Sequence, residues 1–225
     1  SAERRSFSFS RLTGQLGLAD GPRLEEQQET MAADPPRPGV PAVQLGQLVH
    51  SILERIDFHR PDQAAQWCRL LASNYLETPS PEAEQQATRL AVQFLQSSRG
   101  EALRQARVVR REVEFLLPLD ATGETPRHWY GVIDCLYCDA EGAWRLLDYK
   151  TNRTDAERVP LAAAAYELQM FVYHQAATQA LGVAPVESVL YFVRPGVEHQ
   201  FQWDEVSRQR CQAQLDAAVR ETSAP

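Results

Sequence analysis

Two short apolar segments carry groups able to do chemistry. Residues 129–137 read Trp-Tyr-Gly-Val-Ile-Asp-Cys-Leu-Tyr and contain Asp134; residues 143–150 read Ala-Trp-Arg-Leu-Leu-Asp-Tyr-Lys and contain Asp148 and Lys150. Asp139-Ala-Glu-Gly142 lies between them with turn-forming residues, so the segments are expected to pair as a β-hairpin. Side chains alternate across a strand. Asp148 and Lys150 therefore share a row with Trp144 and Leu146, while Tyr149 points the other way with Arg145 and Leu147. A carboxylate and an ammonium at the apolar end of a strand are costly to bury without partners. A divalent cation and a phosphate would satisfy both, and Asp134 brings a second carboxylate from the neighbouring strand. Two aspartates and a lysine converging on a sheet suit metal-assisted phosphodiester hydrolysis. The plainer alternative is a cross-strand ion pair on a solvated face.

The surrounding elements must hold these groups. A helix is expected over residues 43–58, with Leu45, Leu48, Val49, Ile52, Leu53 and Ile56 as its apolar stripe. Gly46 and His50 stand four apart on one face of it, with Glu54 continuing the row. His50 is either a boundary histidine bonded to a backbone carbonyl or an imidazole ligand to a metal. Helices follow at about 61–76 and 81–98, their starts marked by Pro61, Pro79 and Pro81. Arg104, Arg107, Arg110 and Arg111 then offer either phosphate contacts or a solvated face. A strand is expected over 108–117, from which Glu112 or Glu114 would face the site. A polar turn carrying Arg153 follows Lys150. A single helix is expected over 160–181, starting at Pro160 and stopped by Gly182, with Gln169 and Tyr173 on one face. Strands at 186–193 and 197–203 and a helix at 204–220 complete the order.

Composition limits the choices. A chain of 225 residues suits one domain or one domain with an extension. No apolar stretch approaches the ~20 residues of a membrane span, and no apolar region follows the first residues as in a signal peptide. The chain also lacks an initiator Met, which suggests a piece of a longer protein. A formal charge of −7 argues against a free-standing DNA binder, though not against a domain to which a larger machine delivers DNA. Residues 6–12 alternate polar and apolar as a short strand or docking arm. The stretch 17–42, with five prolines and three glycines among Glu and Gln, reads as a flexible acidic linker, so the domain proper is expected at 43–225 and an extension at 1–42. Cys135 and Cys138 have metal-binding spacing, but they fall inside an expected strand and no second close pair follows. Packed, reduced cysteines in a cytoplasmic protein are expected. There is no glycine-rich phosphate loop.

These motifs in this order resemble the PD-(D/E)XK nuclease superfamily, and within it the C-terminal nuclease domain of RecB- and AddA-type helicase–nucleases. Gly46-Gln-Leu-Val-His50 is similar to the family's Gly-x-x-x-His helix and Gly131-Val-Ile-Asp134 to its Gly-x-x-Asp strand. Asp148-Tyr-Lys-Thr151 is similar to its Asp-Tyr-Lys-Thr signature, and Gln169-Met-Phe-Val-Tyr173 to its Gln-x-x-x-Tyr helix. The resemblance spans roughly residues 43–193. It implies an α/β, restriction-endonuclease-like fold: a mixed central sheet flanked by helices, with extra helices before the first core strand. It implies that His50, Asp134, Asp148 and the main-chain carbonyl of Tyr149 bind Mg²⁺, with Mn²⁺ able to substitute, and that Lys150 acts at the phosphate. Gln169, Tyr173 and Arg153 would support the site or contact DNA. It further implies single-stranded DNA delivered by a helicase domain of the same full-length chain, a partner subunit of the AddB or RecC kind, and a role in break repair and recombination. The iron–sulfur cluster of some relatives is not expected, because the cysteines fall elsewhere. The alternative is a catalytically silent docking or DNA-guiding module of a helicase complex.

Overall fold

The computed structural model describes residues 5–8, 42–118 and 127–221. Its frame is a mixed six-stranded sheet. In chain order the strands are β1 (Arg5–Ser8), β2 (Val108–Pro118), β3 (Arg127–Cys138), β4 (Trp144–Lys150), β5 (Glu187–Phe192) and β6 (Val197–Phe201). The helices are α1 (Ala42–Arg55), α2 (Ala64–Tyr75), α3 (Pro81–Leu95), α4 (Ser98–Gln105), α5 (Val159–Ala164), α6 (Glu167–Leu181) and α7 (Glu205–Glu221). The extension expected at 1–42 lies outside the described residues except for β1 and the first residue of α1. No helix among the described residues is long and apolar enough to cross a membrane.

Strand order is β1-β3-β4-β5-β6, with β2 on the other edge of β3. The expected hairpin forms: β3 and β4 pair antiparallel from Cys135 opposite Leu147 to Cys138 opposite Trp144. Its turn closes because Asp139 Oδ1 accepts the N–H groups of Glu141 and Ala143, at 3.1 and 2.8 Å, and because Gly142 takes a φ of +95°, which side chains disfavour. β4 and β5 are parallel, Lys150 lying opposite Phe192, so the chain between them must cross over a face of the sheet, and α5 and α6 do so. β1 runs parallel to β3 from Arg127 to Tyr130, the stretch that β4 does not reach.

Each face of the sheet is covered. Leu45, Leu48, Val49 and Ile52 of α1 pack with α2, α3, Leu147, Tyr149, Val189 and Tyr191. Met170, Phe171 and Val172 of α6 pack with α5, α7, Leu146, Leu190 and Phe192. Neighbouring residues of β4 and β5 thus go to opposite layers, as strand alternation requires.

The long β2–β3 pair breaks that alternation. Val109, Cys135 and Tyr137 pack toward α1–α3, whereas Val113, Phe115, Trp129 and Ile133 pack toward α6, although all are odd-numbered. The reversal falls at one place on both strands. Arg111 is opposite Cys135 and Val113 opposite Ile133, leaving Glu112 and Asp134 out of the ladder, and Glu112 has a φ of +49°. The uninterrupted strand expected at 108–117 is therefore two half-strands with opposite inner faces.

Two helices also differ from expectation. The one expected over 81–98 stops at Leu95, and α4 starts anew with Ser97 accepting the N–H of Gly100 at 3.2 Å. The one expected over 160–181 is split at Ala165 and Tyr166. Tyr166 is buried at 5% exposure, and the break turns it inward.

Candidate metal centre

His50 on α1, Glu112 on β2 and Asp134 on β3 each place one ligand atom within 4.8 Å of the others. The Nδ1 of His50 lies 3.5 Å from Oδ2 of Asp134, and that oxygen accepts the main-chain N–H of Tyr149 at 2.8 Å. The Tyr149 ring points into the α1–α3 layer, edge-on to His50 at 5.9 Å and to Phe94 at 4.8 Å.

Local sequence explains how these groups meet. The apolar stripe of α1 is fully buried, which fixes the rotation of the helix and aims His50 at the sheet. The end of the helix is fixed as well. Arg111 donates from Nη1 to the carbonyl oxygens of Glu54 and Ile56, at 2.8 and 2.7 Å, and its guanidinium lies 4.0 Å from the centre of the Phe58 ring. These carbonyls terminate a helix and have no partner within it, so a cation there is doubly favourable. The strand segment that offers Glu112 thus also holds the helix that offers His50. The left-handed backbone of Glu112 costs on the order of 1–3 kcal/mol for a residue with a side chain. Strain of that kind at a cluster of ligating groups is a mark of functional constraint.

Asp148 and Lys150 form a second unit beside the first. They are 2% and 3% exposed, and Nζ lies 2.9 Å from Oδ2. Burial, then the charge of Asp134, pushes the Asp148 carboxyl up to about 7, against the pull of Lys150. Burial also works to raise Asp134, but His50, Lys150 and the Tyr149 amide outweigh it and hold that carboxyl below its ordinary value. Neighbouring carboxyl groups pushed in opposite directions by burial and by each other's charge are typical of functional sites. One imidazole and several carboxylate oxygens form a donor set suited to Mg²⁺ or Mn²⁺.

Gln169 and Tyr173 stand behind this pair on α6. The Nε2 of Gln169 donates to the Tyr173 hydroxyl at 2.8 Å, and burial, followed by the Asp148 charge, drives the Tyr173 hydroxyl above its usual range. Tyr173 is edge-on to Phe115 at 5.5 Å. That contact passes directly over Gly131, where a Cβ would meet the Phe115 ring at 2.7 Å and the Tyr173 ring at 3.3 Å. Gly131 is thus required by close approach. Arg153 is exposed on the loop after β4. Arg104 donates to the carbonyl of Leu95 at 2.6 Å and pairs with Glu101, so with Arg111 it is engaged within the fold. The four cysteines are free thiols, and burial raises that of Cys135 to about 12.

Asn152 and Tyr166 escaped the sequence reading, and Arg111 was read only as a phosphate contact or part of a solvated face. Asn152 donates to the Tyr166 hydroxyl at 2.9 Å, and the Lys150 ammonium lies 4.5 Å from the centre of the Tyr166 ring. The only signal was the polar turn after Lys150; the continuous helix expected over 160–181 concealed Tyr166.

Comparison with known proteins gives the family. An ATP-dependent helicase/nuclease subunit from Heliobacterium modesticaldum is 33% identical over 174 residues, 70% of this chain and 12% of its own length. Its counterpart from Bacillus velezensis is 31% identical over 178 residues, 70% of this chain and 14% of its own. The chain thus spans about one seventh of the curated relatives it matches. Among solved structures, that of SSO0001 aligns over 90% of this chain and 86% of its own, with a TM-score of 0.40 and 14% identity, too distant to bear on the site. The profile of the PD-(D/E)XK nuclease superfamily matches residues 20–225, in keeping with the mixed sheet and the His50, Glu112 and Asp134 cluster, and the chain belongs to that superfamily.

Proposed function

We propose that this chain is the metal-dependent DNA-cutting domain of an ATP-dependent helicase–nuclease. The observation that carries the reading is the adjacency of two units where α1 meets the sheet: the His50, Glu112 and Asp134 cluster, and the buried Asp148–Lys150 pair. His50, Asp134 and Asp148, with the main-chain carbonyl of Tyr149, hold Mg²⁺, and Mn²⁺ substitutes for it; Glu112 joins them as a ligand. A divalent ion held there supplies a bound water of lowered pKa and neutralises charge on the scissile phosphate. Lys150 faces the phosphate, and Gln169 and Tyr173 hold the inner wall of the site. Arg153, on the exposed loop, contacts the strand.

Residues 43–225 form the catalytic domain and 1–42 its extension. The relatives that match are named as helicase/nuclease subunits, and the matched stretch is only 14% of the length of one of them, which supports a helicase in the same full-length chain. The substrate is single-stranded DNA emerging from that helicase, alongside a partner subunit of the AddB or RecC kind, in break repair in the cytoplasm. A silent module is disfavoured because every position of the set retains a reactive side chain.

The test is degradation of end-labelled single-stranded DNA with Mg²⁺, with Mn²⁺ and with chelator, beside Asp148→Ala. Metal-dependent cutting that the substitution abolishes is the expected result. No cutting by a wild-type chain that binds Mn²⁺ would mean that DNA must be fed to it; no Mn²⁺ binding would overturn the reading.

A further inference from the structure

Lys150 is the only lysine among the 23 lysines and arginines of the sequence. Everywhere else the chain uses guanidinium, a planar and weakly hydrated cation; here it uses a compact point charge on a flexible stem. Such a stem has many rotamers, and a misplaced charge loses most of its effect on a reacting group. A 3%-exposed ammonium also needs its charge answered. Asp148 answers part of it at 2.9 Å. But in the proposed function Asp148 also serves the metal, and one carboxylate then shares its charge between two cations.

The second answer is neutral. The Tyr166 ring lies 4.5 Å from Nζ, within the range at which the negative face of an aromatic ring attracts a cation. A neutral face holds the ammonium without offering a charge that a metal would compete for. The ring is itself immobilised. It is 5% exposed, its hydroxyl accepts from Nδ2 of Asn152 at 2.9 Å, and Asn152 is buried two residues after Lys150. The break between α5 and α6 at Ala165 and Tyr166 delivers the side chain to this place, and Tyr166, His50 and Lys150 line one narrow cleft.

We infer that Tyr166 is a positioning residue for Lys150: its ring face, braced by Asn152, aims the ammonium into the cleft. This rests on the reading of Lys150 as the group that faces the phosphate.

A single lysine allows a direct test. Protein labelled with ¹³C-lysine gives one ε-methylene signal. Ring current should shift it upfield in the wild type and in Tyr166→Phe, and the shift should vanish in Tyr166→Leu. In the cutting assay Tyr166→Leu should lower kcat by about 10–30-fold with KM and Mn²⁺ affinity unchanged. Tyr166→Phe, which keeps the ring face but loses the Asn152 brace, should recover most of kcat, and fluorinated phenylalanines at this position, which keep the shape but drain the ring face, should lower it stepwise. A flat fluorine series, or a Tyr166→Leu variant that cuts at the wild-type rate or loses Mn²⁺ affinity in proportion to kcat, overturns the proposal. If the wild type neither cuts nor binds Mn²⁺, the nuclease reading fails; in that case, or if it binds Mn²⁺ without cutting, the labelled signal decides alone: no shift between wild type and Tyr166→Leu rejects the contact, and the expected shift keeps it.

Discussion

The main-chain N–H of Tyr149 donates to Oδ2 of Asp134 at 2.8 Å, beyond the last ladder pair of β3 and β4, Cys135 opposite Leu147. One carboxylate oxygen is thereby oriented by backbone, so the metal-facing group is aimed by the sheet itself. An asparagine retains an oxygen able to accept this bond. Asp134→Asn should therefore fold with stability within about 1 kcal/mol of wild type. It should lose cutting by at least about 100-fold, together with Mn²⁺ affinity. Thermal melts and a Mn²⁺ titration on the same sample check both halves.

Glu112 tests whether strain and ligation are separable. Glycine accepts a φ of +49° freely and alanine does not, so Glu112→Gly should be more stable than Glu112→Ala by about 1 kcal/mol. Both should bind Mn²⁺ about 10–100-fold more weakly, since both lack the carboxylate. Chemical denaturation with titration of the metal resolves the two effects.

Arg111 ties the end of α1 to β2. Arg111→Met keeps the packing on Phe58 but leaves the Glu54 and Ile56 carbonyls unanswered, and should cost about 1–3 kcal/mol. Hydrogen exchange should rise first in the last turn of α1, with weaker Mn²⁺ binding because His50 rides on that helix.

The Asp148 carboxyl sets a pH dependence whose sign is definite. Its folded value, about 7, exceeds the ordinary 3.8. Its contribution to stability is therefore complete below the unfolded value and is lost as pH rises through about 7. In chelator, Asp148→Asn should melt higher than wild type at pH 8, with the gap closing toward pH 4, while losing all cutting. Differential scanning calorimetry across that range reads it, at about 2–4 °C for each kcal/mol in a domain of this size.

Gly131→Ala should displace the Phe115 ring, since the added methyl would meet it at 2.7 Å. The expected loss is about 1–3 kcal/mol, with Tyr173 and the Gln169 contact disturbed. A companion Phe115→Leu should recover part of it if that collision is the cause.

What the sequence made legible were features governed by nearest neighbours. The α1 stripe, the Asp139–Gly142 turn, the common face of Asp148 and Lys150 and the four-residue spacing of Gln169 and Tyr173 all follow from local periodicity. What it concealed depends on partners distant in the chain. The face reversal at Glu112 is imposed by packing β2 and β3 against two different layers, and no local pattern announces a left-handed glutamate. Tyr166 breaks its helix where Asn152 and Lys150 receive it, and Arg111, one of four clustered arginines, was distinguished only by where α1 ends.

β1 completes the sheet along β3 from Arg127 to Tyr130, yet 33 residues separate it in sequence from α1, where the described chain resumes. It joins by main-chain pairing, as an added strand would. A shortened chain beginning at residue 42 would leave that part of β3 with a row of bare donors and acceptors. Such an edge is adhesive toward any extended segment it meets, including a second copy of the same edge. Tolerance to trimming at the front of this protein is therefore a question of solubility before it is one of catalysis.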